Sequence, residues 1–399
     1  MQRTNIVELK PSKRQEKILK ECLLLSSCVY NSANYVVRQQ FFNKEKVSNF
    51  RDLQVKLQKS DDYVLLGRSY ALPRLQVYGE TNSARFKLIN SKSQDNVGLP
   101  KYYKNRKTNT TLPSYLVMDS SQYSLSKTKA TIPLSRAMRK KYSVKSFKLD
   151  YNGVLKWKGK QQRGQIHFKN GKFYMYQSVE LDTPKLKETG ISAGIDLGIK
   201  NLFAIHLSTG EDKLIGRVRH YRQWTYYAQL IASEQSELSK QNKRTSKRLS
   251  NLFALRTRWQ ENLYKNLTSS VFRFLNKHNV DTLYVGDVTG IRENKDWGHK
   301  GNRMLHNYWT YDTLYKMIAN HCESDGINLS IDDESYTSST CPICYEMDKS
   351  SKHDRIFICK MCGHFGHRDL FGAEMIMFNG MHSQQSVHSS ETAHLVGGC

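Results

Sequence analysis

Acidic residues are in short supply in this chain. Its 399 residues carry 36 Asp and Glu against 62 Lys and Arg, a formal charge of +26 at pH 7. A solvated surface alone does not require such an imbalance; a polyanionic partner does. Apolar sequence is sparse as well. Hydrophobic residues make up 38% and the mean hydropathy is −0.65, and no apolar run approaches the ~20 residues that span a bilayer. The opening MQRTNIVELK lacks the apolar stretch of a secretory signal, so none is expected. There is no internal repeat and no spacing that suggests a disulfide framework. Of eight cysteines, four fall in two C-x-x-C pairs, which in a basic chain points to a metal and a reducing compartment. Aromatics are plentiful, with 23 Tyr, 15 Phe and 5 Trp. Together with the charge they make nucleic acid the expected partner.

Along the chain, residues 5–10 have the pattern of a short strand. Ser12 and Gln15 then have the spacing of a capping box. Apolar positions at Ile18, Cys22, Leu25, Val29, Ala33 and Val36 follow one helix face, which makes Cys22 and Cys28 ordinary core residues. Helix and loop continue to about residue 98. Residues 101–170 hold 17 Lys and Arg against only Asp119 and Asp150, and short strands appear. Asn152-Gly153 and Asn170-Gly171 both have the composition of two-residue hairpin turns. A basic, Tyr-rich β-barrel that grips a nucleic-acid backbone is the functional reading; lysine-protected sheet edges are the bland one. Residues 184–190 have the look of a linker. Strands follow, then one long helical stretch over 219–277 carrying the basic cluster Lys243, Arg244, Lys247 and Arg248. Further on come a strand at 282–285, a helix near 308–322, a strand at 327–331 and a tail with the composition of disorder.

Two constellations carry chemistry. Cys341, Cys344, Cys359 and Cys362 close a tetrahedral shell around zinc and leave no open position, so the ion is structural. His353, His364 and His367 lie nearby in sequence, but four thiolates suffice. Cys322 and Cys399 have no partner spacing. The second constellation is acidic. Asp196 sits within an apolar strand, where a carboxylate needs a partner or a cation. Glu334 follows the 327–331 strand, and Asp369 opens a helix after the cysteines. Three carboxylates at strand and helix ends are what two magnesium ions about 4 Å apart need for phosphodiester cleavage. Asp369 alone would equally serve as a helix cap.

In this order, GIDLGIKNL, DESYTSSTCPIC, CKMCG and GHRDLFGAEMI resemble the TnpB (OrfB) family of transposon-encoded RNA-guided DNA nucleases. The same core occurs in type V CRISPR effectors and in Fanzor proteins. The motifs cover residues 191–380 closely. The N-terminal half matches more loosely, through its opening strand and helix and through Leu99 to Lys104. The resemblance implies a multidomain α/β protein. An RNase H-like RuvC nuclease (185–337 and 367–383) would carry an inserted zinc ribbon (338–366), leaving 384–399 as a disordered tail. A wedge-type barrel (1–10 and 99–184) would be split by a helical recognition lobe (11–98).

Carried over residue by residue, the catalytic set becomes Asp196, Glu334 and Asp369, holding two magnesium ions, with one zinc on the four cysteines. Two departures stand out. Gly286 occupies the strand position where the family usually has its Glu, and Glu334 matches the relocated position of some lineages; Asp287 is the reserve, with turn capping as its bland role. Phe371 stands where the family often has Asn. The implied partners are a guide RNA encoded beside the gene and a double-stranded DNA target, with no membrane, in a monomer or homodimer. The setting is a prokaryotic cytoplasm or a nucleus. The alternatives are a nuclease-inactive guided repressor and a guide-independent nuclease or transposase.

Overall fold

The computed structural model describes residues 1–90, 97–217, 219–291, 296, 298–334, 337–347 and 355–396. They divide into two units, Met1–Asp182 and Thr183–Cys399.

The first unit opens with β1 (Gln2–Lys10), whose residues alternate between exposed and buried as a half-buried strand should. Ser12 then caps α1 (Lys13–Phe42) in a complete capping box with Gln15. The helix buries Ile18, Cys22, Leu25, Val29 and Ala33, with Val37 and not Val36 continuing the stripe. Helices α2 (Phe50–Leu57), α3 (Asp61–Leu66) and α4 (Arg68–Asn90) follow. The chain then returns to strands: β2 (Tyr115–Met118), β3 (Ser124–Leu125) and β4 (Lys129–Thr131), a short α5 (Arg136–Tyr142), β5 (Lys148–Asn152), β6 (Lys160–Lys169) and β7 (Lys172–Glu180). All seven strands form one sheet in the order β2-β6-β7-β1-β5-β4-β3. The first strand of the chain therefore pairs with β5 and β7, and four helices lie in sequence between it and the rest of its sheet.

The two Asn-Gly pairs behave differently. Asn170 (φ 52°) and Gly171 (φ 77°) make the tight turn between β6 and β7, as their composition predicts. Asn152-Gly153 is not a hairpin turn: it ends β5, whose partners are β1 and β4. A short-range turn signal says only that the chain bends; which strand lies alongside is decided by burial further away.

The second unit is built on a five-stranded sheet, order β10-β9-β8-β11-β12. These strands are β8 (Ser192–Asp196), β9 (Phe203–Leu207), β10 (Asp212–Ile215), β11 (Thr282–Asp287) and β12 (Asn328–Asp333). Strands β8 to β10 are antiparallel neighbours, whereas β8, β11 and β12 run parallel. One core of buried side chains, including Ile195, Phe203, Phe272, Leu283 and Ile318, fills this unit. The expected single helix over 219–277 is two: α6 (Arg219–Lys240) and α7 (Lys247–Lys277). Ser246 caps the second through its hydroxyl, so Lys243 and Arg244 lie in the connecting turn, and Arg248 pairs with Glu234 at 3.2 Å. After α8 (Gly298–Arg303) come α9 (Tyr311–Asp325), the hairpin strands β13 (Ile356–Ile358) and β14 (Phe365–His367), and α10 (Arg368–Val396). The tail expected to be disordered continues α10 as far as Val396. Among the described residues no helix is long and apolar enough to cross a membrane.

Candidate functional site

Parallel pairing sets the geometry. Val285 lies opposite Ile195, and Gly286 opposite Asp332, so Asp196, Gly286 and the residue after β12, Glu334, all lie at the C-terminal ends of three adjacent strands. Strand neighbours are about 4.8 Å apart. Helix α10 packs unusually close to this sheet. A Cβ on Gly194 of β8 would lie 2.0 Å from the Ala373 carbonyl oxygen, and one on Gly380 of α10 would lie 2.2 Å from the Tyr284 ring. Glycines on both partners thus allow the contact, and it delivers the first turn of α10 to the end of β8. A Cβ on Gly372 would meet Asp196 Oδ2 at 3.0 Å.

Asp369, in that first turn, is 8% exposed. Its Oδ2 accepts from Asn201 Nδ2 at 3.0 Å and is paired with Arg355 Nη1. Arg368 Nε stands 4.0 Å from Oδ1. Burial, and then the charge of Asp369, push Asp196 up to about 7; Arg368 and Arg355 pull weakly the other way. Asp196, desolvated and beside a second carboxylate, holds its proton near neutrality, so its charged form conflicts with its surroundings. A divalent cation would remove that conflict.

The cysteines form a second centre. Their four Sγ atoms lie within 4.8 Å of one another, with Cys341–Cys362 at 3.6 Å and Cys344–Cys359 at 3.5 Å. A tetrahedral zinc–thiolate shell has edges of about 3.8 Å, so the donor set fits zinc. Each knuckle turns on a left-handed residue directly after its second cysteine, Tyr345 (φ 58°) and Gly363 (φ 72°). The thiols share their protons as one set: Cys359 is lowered to about 7, chiefly by the backbone N–H of Cys362, whereas Cys344 is pushed up to about 12.

Comparison with known proteins places the chain among similar sequences and folds. Residues 176–292 match the family model OrfB_IS605, described as a probable transposase. Residues 311–376 match the Cas12f1-like TNB domain. The TnpB-like protein ORF457 of Acidianus two-tailed virus is 27% identical over 94% of this chain and 86% of its own length. Over these stretches the chain is similar to TnpB-type proteins and to the type V effectors. The CRISPR-associated endodeoxyribonuclease Cas12f1 of Sulfoacidibacillus thermotolerans is 33% identical over a shorter stretch, 25% of this chain and 22% of that protein. A solved Cas12f1–sgRNA–target DNA complex shares the fold, with a TM-score of 0.60 at 14% identity over 92% of this chain and 83% of that one.

The departures from the TnpB pattern take physical form. A Cβ on Gly286 would lie 2.9 Å from Glu334 Oε2 and 2.8 Å from Ile376 Cδ1. The space beside Gly286 is therefore occupied by the Glu334 carboxylate, and a side chain on residue 286 would compete for it. Asp287 is engaged elsewhere: Oδ1 accepts from the Thr289 N–H at 2.8 Å and Oδ2 from its hydroxyl at 3.0 Å. Phe371 belongs to the cysteine centre. It stacks on His364 at 4.9 Å, meets Phe357 edge-on at 5.8 Å, and requires Gly366, whose Cβ would lie 2.4 Å from its ring. His367 Nδ1 accepts from the Asp369 N–H at 3.3 Å; His353 and Cys399 lie outside the described residues.

Sequence reasoning missed Asn201, Arg355 and Tyr315. Asn201 and Arg368 lie inside quoted motifs, so their position was the available signal. Arg355 had none, because the inserted cysteine segment brings it to Asp369 only in three dimensions. Tyr315 hydroxyl donates to the Gly286 carbonyl and accepts from the Val288 N–H at 2.9 Å, tying α9 to the end of β11. Burial raises its phenol, and the charges of Asp287 and Glu334 add to the effect.

Proposed function

We propose that this chain is an RNA-guided endonuclease of a transposon-encoded system, cutting DNA by two-metal phosphodiester hydrolysis in a RuvC-type unit. The observation that carries the reading is the place beside Gly286, filled by the Glu334 carboxylate one strand from Asp196. A third acid is thereby supplied despite the glycine. Asp196, Glu334 and Asp369 would hold two magnesium ions, which when bound supply an activated water and stabilise the leaving oxygen.

The chain's own residues prepare that place. Asn201 and Arg355 hold one oxygen of Asp369 and so fix the orientation of the other. Burial and the neighbouring carboxylate keep a proton on Asp196 near neutrality, a proton that a cation would displace. Tyr315 pins the strand end on which Gly286 sits. The four cysteines would hold a structural zinc with a closed shell. The first unit, with an excess of fifteen positive charges over residues 101–170, suits the backbone of a guide RNA and its heteroduplex, as a wedge-type barrel and helical recognition lobe would. Sequence would then be read by base pairing.

The test is cleavage of a matched plasmid in magnesium by ribonucleoprotein purified with the gene's flanking sequence. The wild type should linearise it, and Asp196→Ala, Glu334→Ala and Asp369→Ala should not. A wild type that binds the target but never cuts would replace this reading with a guided repressor. Protein that carries no RNA at physiological salt would replace it with a guide-independent nuclease.

A further inference from the structure

The second unit has a cavity of about 590 Å³ whose lining includes Lys200, Tyr221, Arg222, Tyr226, Gln229 and Arg303. That volume falls within the ~300–1,000 Å³ of small-molecule pockets. Three features set it apart from a generally basic surface. Among the described residues no acidic side chain lines it, and Lys200, Arg222 and Arg303 have no ion-pair partner there, so three positive charges share one wall. Behind the lining, Arg303 lies over the Trp224 ring at 5.5 Å, and Arg256 also lies over that ring at 5.3 Å. Arg303 Nη2 and the Trp224 indole N–H are both buried without a hydrogen-bond acceptor. Buried donors without an acceptor are costly; that of Trp224 lies behind the wall, and Arg303 is the one of the two that lines the cavity. Finally, Tyr226 presents a ring that is 54% exposed.

Location gives the cavity a role. Lys200 immediately precedes Asn201, which donates to Asp369. Lys200 is thus one residue along the chain from a side chain that touches one of the carboxylates. We propose that this cavity binds a nucleotide of the DNA strand adjoining the scissile position, with Arg222, Lys200 and Arg303 at its phosphate and Tyr226 stacked on its unpaired base. The identity of the strand rests on the nuclease reading above. A single strand fits better than a duplex, because only an unpaired base offers its face to a tyrosine.

The experiment measures binding of the full chain to a fluorescent single-stranded DNA oligonucleotide, and in parallel to an RNA of the same sequence, in EDTA across a salt series. Arg222→Gln and Lys200→Gln should each reduce the slope of log affinity against log salt by about 0.7. Tyr226→Ala should weaken binding roughly 5- to 150-fold without altering the slope, and Tyr226→Phe should retain it. Losses with DNA, or with both polymers, support the site; losses with RNA alone overturn the assignment to the DNA strand. Unchanged affinity in variants that melt like wild type overturns the cavity altogether. Because no metal is present, the two readings separate. A wild type that cuts plasmid while these variants bind normally sinks only the cavity, and a wild type that never cuts while they bind weakly sinks only the nuclease.

Discussion

Gly286→Ala adds one methyl group at the most informative point in the protein. Its Cβ would lie 2.8 Å from Ile376 Cδ1, 2.9 Å from Glu334 Oε2 and 3.1 Å from Glu334 Cβ. All three are closer than van der Waals contact. Ile376 is fully buried in α10, which the glycine contacts at Gly194 and Gly380 hold against the sheet, so it yields little. Glu334, outside the strand and only partly buried, is what moves. A displacement near 1 Å at a positioned catalytic group costs on the order of 10² in rate, whereas the crowding itself costs about 1–3 kcal/mol of stability. Single-turnover cleavage of a matched target in magnesium should therefore fall about a hundredfold, while a thermal melt shows a folded protein.

Gly286→Asp combined with Glu334→Ala should recover part of the loss, because a carboxylate one bond beyond Cβ reaches the volume that Glu334 Oε2 vacates. Asp287→Ala should leave cleavage within a few-fold of wild type, since its oxygens serve Thr289. If Gly286→Ala cuts at the wild-type rate, or if Asp287→Ala is dead while Glu334→Ala is active, the assignment of Glu334 is wrong.

Three other outcomes follow from the same geometry. Gly194→Ala places a Cβ 2.0 Å from the Ala373 carbonyl oxygen; with backbone on both sides, the melting transition should fall by an amount equivalent to about 3 kcal/mol or more, and a wild-type melting temperature would mean that α10 does not pack this closely. In EDTA, wild type and Asp196→Asn should be equally stable near pH 4 and diverge as pH rises. Asp196 moves from its ordinary 3.8 to about 7 on folding, so the native state keeps a proton that the unfolded chain releases. Stability is lost across pH 4 to 7, on the order of 4 kcal/mol, and Asp196→Asn should become the more stable protein at pH 8; parallel pH profiles would refute it. A strong chelator should release one zinc per chain and abolish the protection of amide hydrogens at Phe357 and Cys359, and Cys359→Ser should bind none; a metal-free wild type with the same protection would show that packing alone holds the hairpin.

Local patterns proved legible wherever local forces decide. The Ser12–Gln15 cap, the buried stripe of α1, the Asn170-Gly171 turn and the paired C-x-x-C knuckles each depend on residues within a few positions of one another. Non-local choices were not legible. Nothing near Asn152-Gly153 indicates that the preceding strand pairs with β1, some 140 residues earlier. The break between α6 and α7 turns on a single capping serine within a stretch that is basic throughout.

By itself, then, the sequence determined a basic chain with a zinc-type cysteine spacing and an ordered set of motifs, because charge excess, thiolate spacing and motif order are properties of composition and of short intervals. Only the tertiary structure decided how these acids are placed. Asp196 and Asp369 are 173 positions apart, and they come together because glycines let α10 lie directly on β8. Glu334 fills the place beside Gly286 because parallel pairing of β11 and β12 aligns their ends. Each of these contacts is a packing outcome, set by close approach across elements that no sequence window contains.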